Sequence, residues 1–335
     1  MAPTIARRLA RLRVTRPAAS PAGVVEHLLA IQAQDLGAAL WAVGLRCGAT
    51  RAGVEAAIDA GGIVRTWPMR GTLHLVPAAD VRWLLALLGP RMETASARRM
   101  RELDLDRAMV DRCAAHADRA LAGVRSSRED LLAGFEAIGV STAGQRGYHL
   151  LCQLALQGVI CQVGAAFVRF DDVVPEHPTL DRDEALVRLA RRYFAGHGPA
   201  TEADLAWWAG LPLKDVRAGI AGADLVRDGD LLDIAPDDPP PAGVHLLPAF
   251  DEWLLGYRDR SATLDPAWAD RVCPGGNGIF RPIVVVDGRT VGTWRAKTTR
   301  QGVALAFEAF DGTLDPERLA EPAERYAEFV GKPLA

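Results

Sequence analysis

A chain of 335 residues, 49% hydrophobic and 24% charged, is not a disordered chain, and no apolar run approaches the roughly 18–20 residues of a membrane span. Its length exceeds one simple core, so two to four modules are expected. The net charge of −3 conceals an asymmetry: residues 1–120 hold 17 Arg against 11 Asp+Glu, net +6, which leaves 22 Lys+Arg against 31 Asp+Glu, net −9, for residues 121–335. A local basic surface is what a phosphate backbone responds to, so the N-terminal third favours an anionic partner.

The first twenty residues carry Arg7, Arg8, Arg11, Arg13 and Arg16 without an apolar signal core, and a cytoplasmic protein is expected. Residues 4–16 alternate Arg with Ala and Leu as an amphipathic helix does, ending at Arg16-Pro17. A second helix is predicted from Ser20-Pro21 to about Gln34, because Val24, Val25, Leu28, Leu29 and Ile31 recur at helical spacing and proline suits a first turn. Leu40 to Leu45 and Val54 to Ile58 read as two further short helices. After Gly61-Gly62, the segments Ile63 to Trp67 and Thr72 to Val76 flank Pro68-Met69-Arg70-Gly71 as a hairpin. Helices followed by a two-stranded wing make the winged-helix plan.

The plan recurs twice. Helices over 78–122, 128–138 (capped by Ser127) and 142–157 (capped by Ser141-Thr142) precede strands Val159–Val163 and Phe167–Phe170. Helices from Asp183 to Phe194, Thr201 to Ala209 and Lys214 to Ala221 precede Leu225-Val226 and Leu231 to Ile234 around Asp228-Gly229-Asp230. The linker Asp237-Asp238-Pro239-Pro240-Pro241 then leads to strand-like runs at Ile283–Val286, Thr290–Arg295 and Val303–Phe310, a tight turn at Asp287-Gly288-Arg289, and a final helix over 316–330. Residues 281–300 carry five basic residues against one acid. The expected fold class is α+β, mainly α: three tandem winged-helix units at 1–122, 123–178 and 179–236, then a C-terminal β-rich domain at 243–335.

Familiar catalytic motifs are absent: there is no GxSxG, no GxxxxGK[ST] and no HExxH. The five cysteines lack CxxC spacing and read as free thiols, so neither a metal nor a cofactor is expected. Gly275-Gly276-Asn277-Gly278 reads as a loop, Asp251-Glu252 as a helix start whose acids complement the dipole, and His74 as a structural histidine. Lysine occurs only at 214, 297 and 332 and nowhere in the basic third, which argues against Schiff-base chemistry there. Gln32 and Gln34 close the second helical run. Two residues apart on a helix they would point about 200° apart, so joint action requires the helix to break near Ala33. Taken alone they read as a polar helix end, although two amides together can orient a water.

These residues carry a family resemblance. Ile31-Gln-Ala-Gln-Asp35, Thr66-Trp-Pro-Met-Arg-Gly-Thr-Leu-His-Leu-Val76, Leu247-Pro-Ala-Phe-Asp-Glu-Trp-Leu-Leu-Gly-Tyr-Arg-Asp-Arg260, Gly278-Ile-Phe-Arg-Pro282 and Val291-Gly-Thr-Trp-Arg295 resemble the winged-helix DNA glycosylases of the AlkZ/YcaQ type over almost the whole chain. The resemblance implies a C-shaped clamp around double-stranded DNA carrying alkylated bases, and hydrolytic removal of N7-alkylated purines, including some interstrand crosslinks. It implies that Gln32 and Gln34 are the catalytic pair. The Gln-x-Gln form places the chain with the AlkZ-like, antibiotic-self-resistance branch. Asp35 is added as possible electrostatic support, and Arg65, Arg70, Trp294, Arg295 and Lys297 as DNA contacts. A monomer is expected. The competing readings are a winged-helix transcription regulator, for which Gln145, Arg146, His149, Gln153 and Gln157 on one helix would serve major-groove recognition, and a catalytically silent DNA-binding protein.

Overall fold

Polar caps, prolines and left-handed turn residues decide where the elements of the chain begin and end. The structure, a computed structural model, describes residues 2–176, 180–235 and 238–335; Asp237 of the proline-rich linker lies outside them. Helix α1 (Ala2–Arg11) stops short of its predicted end, because Arg13 takes a φ of 62° and Val14 turns back to donate to the carbonyl of Leu9. In α2 (Pro21–Leu28), Ser20 Oγ accepts from Gly23 N–H at 3.1 Å and Pro21 opens the first turn. There follow an extended pair, β1 (Ile31–Gln32), and the helices α3 (Leu36–Leu45) and α4 (Arg51–Asp59).

The predicted hairpin forms as β2 (Ile63–Met69) and β3 (Thr72–Pro77). Arg70 and Gly71, with φ of 53° and 70°, make the mirror-image turn that matches strand twist. Next come α5 (Ala78–Glu102), α6 (Arg107–Ala120), α7 (Arg128–Ala137), α8 (Arg146–Leu156), β4 (Ile160–Val163), β5 (Ala166–Arg169) and the short α9 (Phe170–Val173). Ser127 caps α7 as predicted. Helix α8 starts later than predicted: Thr142 donates its N–H and hydroxyl to Glu136 Oε1 at 2.5 and 2.7 Å, which folds 141–145 into a turn. The third group comprises α10 (Arg182–His197), α11 (Glu202–Ala209), α12 (Leu213–Ala221), β6 (Val226–Asp228) and β7 (Leu231–Asp233). Last are β8 (Val244–Leu247), α13 (Glu252–Leu255), α14 (Ala269–Val272), β9 (Ile283–Val286), β10 (Arg289–Thr298), β11 (Val303–Ala309) and α15 (Pro316–Val330).

The chain forms two compact units, one of residues 57–185 and one joining 1–56 to 186–335. These boundaries differ from the four segments read from the sequence. In the first unit the strands are neighbours in the order β3-β2-β4-β5, all antiparallel, with Arg65 paired to Gln162 across β2 and β4. Two hairpins expected to end separate units therefore share one sheet. Their apolar residues Val64, Trp67, Leu75, Ile160 and Phe167 are buried, along with Leu84 and Leu88 of α5 and Leu150 and Leu154 of α8.

The second unit is built on a four-stranded antiparallel sheet in the order β11-β10-β9-β8, with β6 and β7 paired separately. Asp287 and Gly288, at φ 49° and 79°, turn β9 into β10. The pairing of β10 with β9 shifts register between Thr290 and Gly292. Gly292 is required there: a Cβ would lie 2.6 Å from the Glu308 carbonyl oxygen.

Candidate active site

The glutamine segment departs from helix earlier than predicted. Val24, Val25 and Leu28 bury one face of α2, and then Leu29 adopts a left-handed φ of 68°. That conformation costs a leucine roughly 1–2 kcal/mol. Burial compensates: Leu29 and Ala30 are 0% exposed and Ile31 2%. The helix stops, Ile31 and Gln32 run extended, and α3 begins at Leu36 after Asp35 Oδ1 accepts from Ala38 N–H at 3.0 Å. Gln32 and Gln34 thus lie on a non-helical connection. The Gln32 side chain folds along it, its Oε1 accepting from the Gln34 amide N–H at 3.3 Å. Gln32 is buried and Gln34 exposed, so one side chain braces the turn and the other meets solvent.

Helix α3 is apolar and buried from Ala39 to Leu45, and both its length and its end are held from afar. Trp41 Nε1 donates to the carbonyl of Leu246 at 2.8 Å, and its ring packs edge-on against Tyr326 at 5.1 Å and tilted against Phe329 at 4.9 Å. At the far end Arg46 is clamped. Its two terminal nitrogens reach Asp251 Oδ2 and Oδ1 at 2.9 and 2.8 Å, both side chains being 1% exposed. Its Nε donates to the Leu12 carbonyl at 2.6 Å. Asp251 also caps α13 through Trp253 N–H, as the predicted helix start requires. Its neighbour Glu252 is equally buried, accepting from Trp208 Nε1 at 2.9 Å and standing 3.1 Å from His197 Nε2. The acidic pair in the long shared motif is thus scaffold.

His27, in the last turn of α2, is held neutral. Arg13 donates to Nδ1 at 3.2 Å, so Nδ1 must accept and Nε2–H donates to the Arg11 carbonyl at 2.7 Å. Burial first, then the Arg13 charge, pushes its pKa down to about 4. The unfolded chain therefore binds the proton more readily, and stability present above pH ~6.5 is lost as pH falls toward 4. Between pH 7 and 4.5 the wild type is expected to lose on the order of 2 kcal/mol more than His27→Gln, measured by denaturant titration; equal losses would show that His27 is not held neutral.

The remaining predicted residues divide by environment. Arg65 donates to Gln162 Oε1 at 2.8 Å across the shared sheet, Arg70 sits in the β2–β3 turn, and His74 is 0% exposed with Nδ1 2.9 Å from the Thr72 carbonyl, a structural placement. Arg65 and Arg70 belong to the unit of residues 57–185, and the glutamines to the other. Arg295 and Lys297 are exposed on β10. Trp294 is 6% exposed, donates Nε1–H to the Leu247 carbonyl at 2.8 Å and packs on Tyr326 at 4.9 Å, so most of its ring is held in the core. Burial raises the Cys113 thiol to about 11 and those of Cys152 and Cys161 to about 12, which leaves them protonated and unreactive at neutral pH. Among the described residues no group of three or more His, Cys, Asp or Glu is placed to hold a metal ion, and no helix is long and apolar enough to cross a membrane.

The fold is that of a solved protein: the Streptomyces sahachiroi DNA glycosylase AlkZ matches with a TM-score of 0.80 at 24% identity, covering 100% of this chain and 98% of that one. The sequence model of the AlkZ-like family, "DNA glycosylase AlkZ-like", matches residues 25–329, and the chain belongs to that family. It is also 27% identical over 309 residues to an interstrand DNA cross-link repair glycosylase of Streptomyces sahachiroi, over 84% of this chain and 82% of that protein.

Proposed function

We propose that the protein is a monofunctional DNA glycosylase that hydrolyses the N-glycosidic bond of N7-alkylated purines in duplex DNA, with Gln32 and Gln34 as its catalytic pair. The observation that carries this reading is the Gln32–Gln34 connection itself, two amides on a braced, non-helical turn at the entrance to a rigidly held helix. An N7-alkylated purine is already cationic. As the bond from C1′ to N9 breaks, its electron pair neutralises the departing base, and little acid catalysis is needed. What remains is to hold a water against an oxocarbenium-like sugar and to stabilise that charge. An amide accepts and donates at once, so the exposed Gln34 orients the water while Gln32 fixes the turn. Water forms the new C1′–O bond and releases its proton to solvent or to Asp35, one of whose oxygens caps α3.

The same proposal assigns DNA contacts to Arg65, Arg70, Arg295 and Lys297, takes the three helix–hairpin segments as winged helices that grip duplex DNA, and places a monomer in the cytoplasm. The name of the Streptomyces relative supports interstrand crosslinks as substrates. Self-resistance to a genotoxic natural product is the corresponding role. With lysine only at 214, 297 and 332, no lyase chemistry is assigned.

Incubation with duplex DNA containing N7-methylguanine tests the proposal. Free base is expected, with strand breaks appearing only after heat or alkali. Direct nicking by pure enzyme would overturn the monofunctional assignment. Sequence-selective binding to intact DNA without release of any alkylated base would favour a regulator instead.

A further inference from the structure

Between the β10–β11 hairpin and the residues that lead into β9 lies a cavity of about 510 Å³, lined by Arg281, Pro282, Trp294, Arg295, Phe307 and Glu308 among others. The register explains its shape. Thr293 stands opposite Glu308 and Arg295 opposite Ala306, so the small residues Thr293 and Ala306 form a floor between longer side chains. Three guanidinium groups surround the one carboxylate. Arg271 is anchored, donating to Glu308 Oε1 at 2.6 Å and to the carbonyls of Phe310 and Ala309, both at 2.9 Å. Arg281 reaches the Arg271 carbonyl at 3.3 Å, and both Arg281 and Arg295 are exposed. The hydrogen bond from Arg271 first, then its charge and those of Arg281 and Arg295, holds the Glu308 carboxyl below its usual range. With Arg271 matched to Glu308, the guanidiniums of Arg281 and Arg295 remain to give the cavity net positive charge.

Planar guanidinium forks suit phosphate oxygens. A cavity of about 510 Å³ falls in the range of small-molecule sites, and a double helix is too large to enter a space of that volume. A single nucleotide can enter it, with its phosphate on the guanidiniums and its sugar or base on the apolar side formed by Pro282 and Phe307. We propose that this cavity is a nucleotide site that takes one unpaired nucleotide of a DNA strand, its phosphate held between Arg281 and Arg295. This rests on DNA being the substrate and adds a second point of engagement apart from the glutamines.

The test compares the wild type with Arg281→Ala, Arg295→Ala and Glu308→Gln, using fluorescence anisotropy on three probes: a paired duplex, a duplex with a one-nucleotide bulge, and deoxyadenosine monophosphate. The wild type is expected to prefer the bulged duplex severalfold. Each arginine variant should lose about tenfold on it, more than on the paired duplex. Glu308→Gln keeps an acceptor for Arg271 while removing the negative charge, and should tighten binding to the bulge. No bulge preference in the wild type, equal loss on both duplexes, or weakening by Glu308→Gln would overturn the proposal. So would tight binding of the free nucleotide without a bulge preference, which would make this a free-nucleotide site. Base release from N7-methylguanine duplex at saturating enzyme keeps the two readings apart: if the wild type releases no base but the bulge preference depends on Arg281, the nucleotide site stands and the glycosylase reading falls.

Discussion

Replacing Asp251 by asparagine is expected to destabilise the protein by about 3–5 kcal/mol, the largest effect of any single substitution considered. Asparagine keeps an oxygen for the Trp253 N–H cap, so the change isolates the charge. Arg46 would be left 1% exposed without its bidentate carboxylate partner. A surface ion pair would be worth a fraction of this, because water screens both partners before and after the change. Here the guanidinium cannot reach water, and its desolvation is uncompensated. Thermal unfolding should fall by on the order of 10 °C, and the double variant Arg46→Met with Asp251→Leu should recover most of the loss, since matched apolar replacement of a buried pair is often neutral. An Asp251→Asn protein that melts with the wild type would mean the clamp does not hold α3. The consequence reaches function, since α3 starts one residue after Asp35 and a loosened helix lets the glutamine turn move.

Gln34→Ala is expected to lower base release by about 100-fold while leaving the melting temperature within about 1 °C. Loss of one oriented hydrogen-bonding group in a catalytic site typically costs 10²–10³ in rate, and Gln34 is exposed, so truncation leaves no cavity. Gln32→Ala should behave differently. Gln32 is 7% exposed and its Oε1 braces the Gln34 amide, so a stability loss of about 1 kcal/mol accompanies the rate loss. Single-turnover rates and melting curves on the same preparations separate the two effects. Full activity in a folded Gln34→Ala protein would remove Gln34 from the mechanism.

What the sequence made legible follows the range of the interaction that decides each feature. Both tight hairpins were readable because Arg70-Gly71 and Asp287-Gly288 carry their turn chemistry locally, and α7 because Ser127 caps it. The end of α2 was not. Leu29 has no local reason to leave the helix, and its left-handed φ is sustained by burial among residues brought in from elsewhere. The pairing of Arg65 with Gln162 joins positions 97 apart, and the Arg46–Asp251 clamp joins positions 205 apart. Neither leaves a periodic trace. The burial of Trp294 was illegible for a related reason: it alternates with Arg295 along β10, and only the packing of Tyr326 shows which of the two is held in the core. The glutamine motif was legible, but the helix end was not: the break expected near Ala33 comes four residues earlier, at Leu29, so Gln32 and Gln34 both lie outside α2.

The central claim is that Gln32 and Gln34 act as one unit, Gln34 on the water and Gln32 on the turn that holds it, and a double-mutant cycle on base release tests it most directly. Single-turnover rates on N7-methylguanine duplex would be measured for the wild type, Gln32→Ala, Gln34→Ala and the double variant, each confirmed folded. Residues that serve a single step are strongly non-additive, so the double variant is expected to be no slower than the slower single. Losses that multiply, or a double variant that releases base at the wild-type rate, would contradict the account.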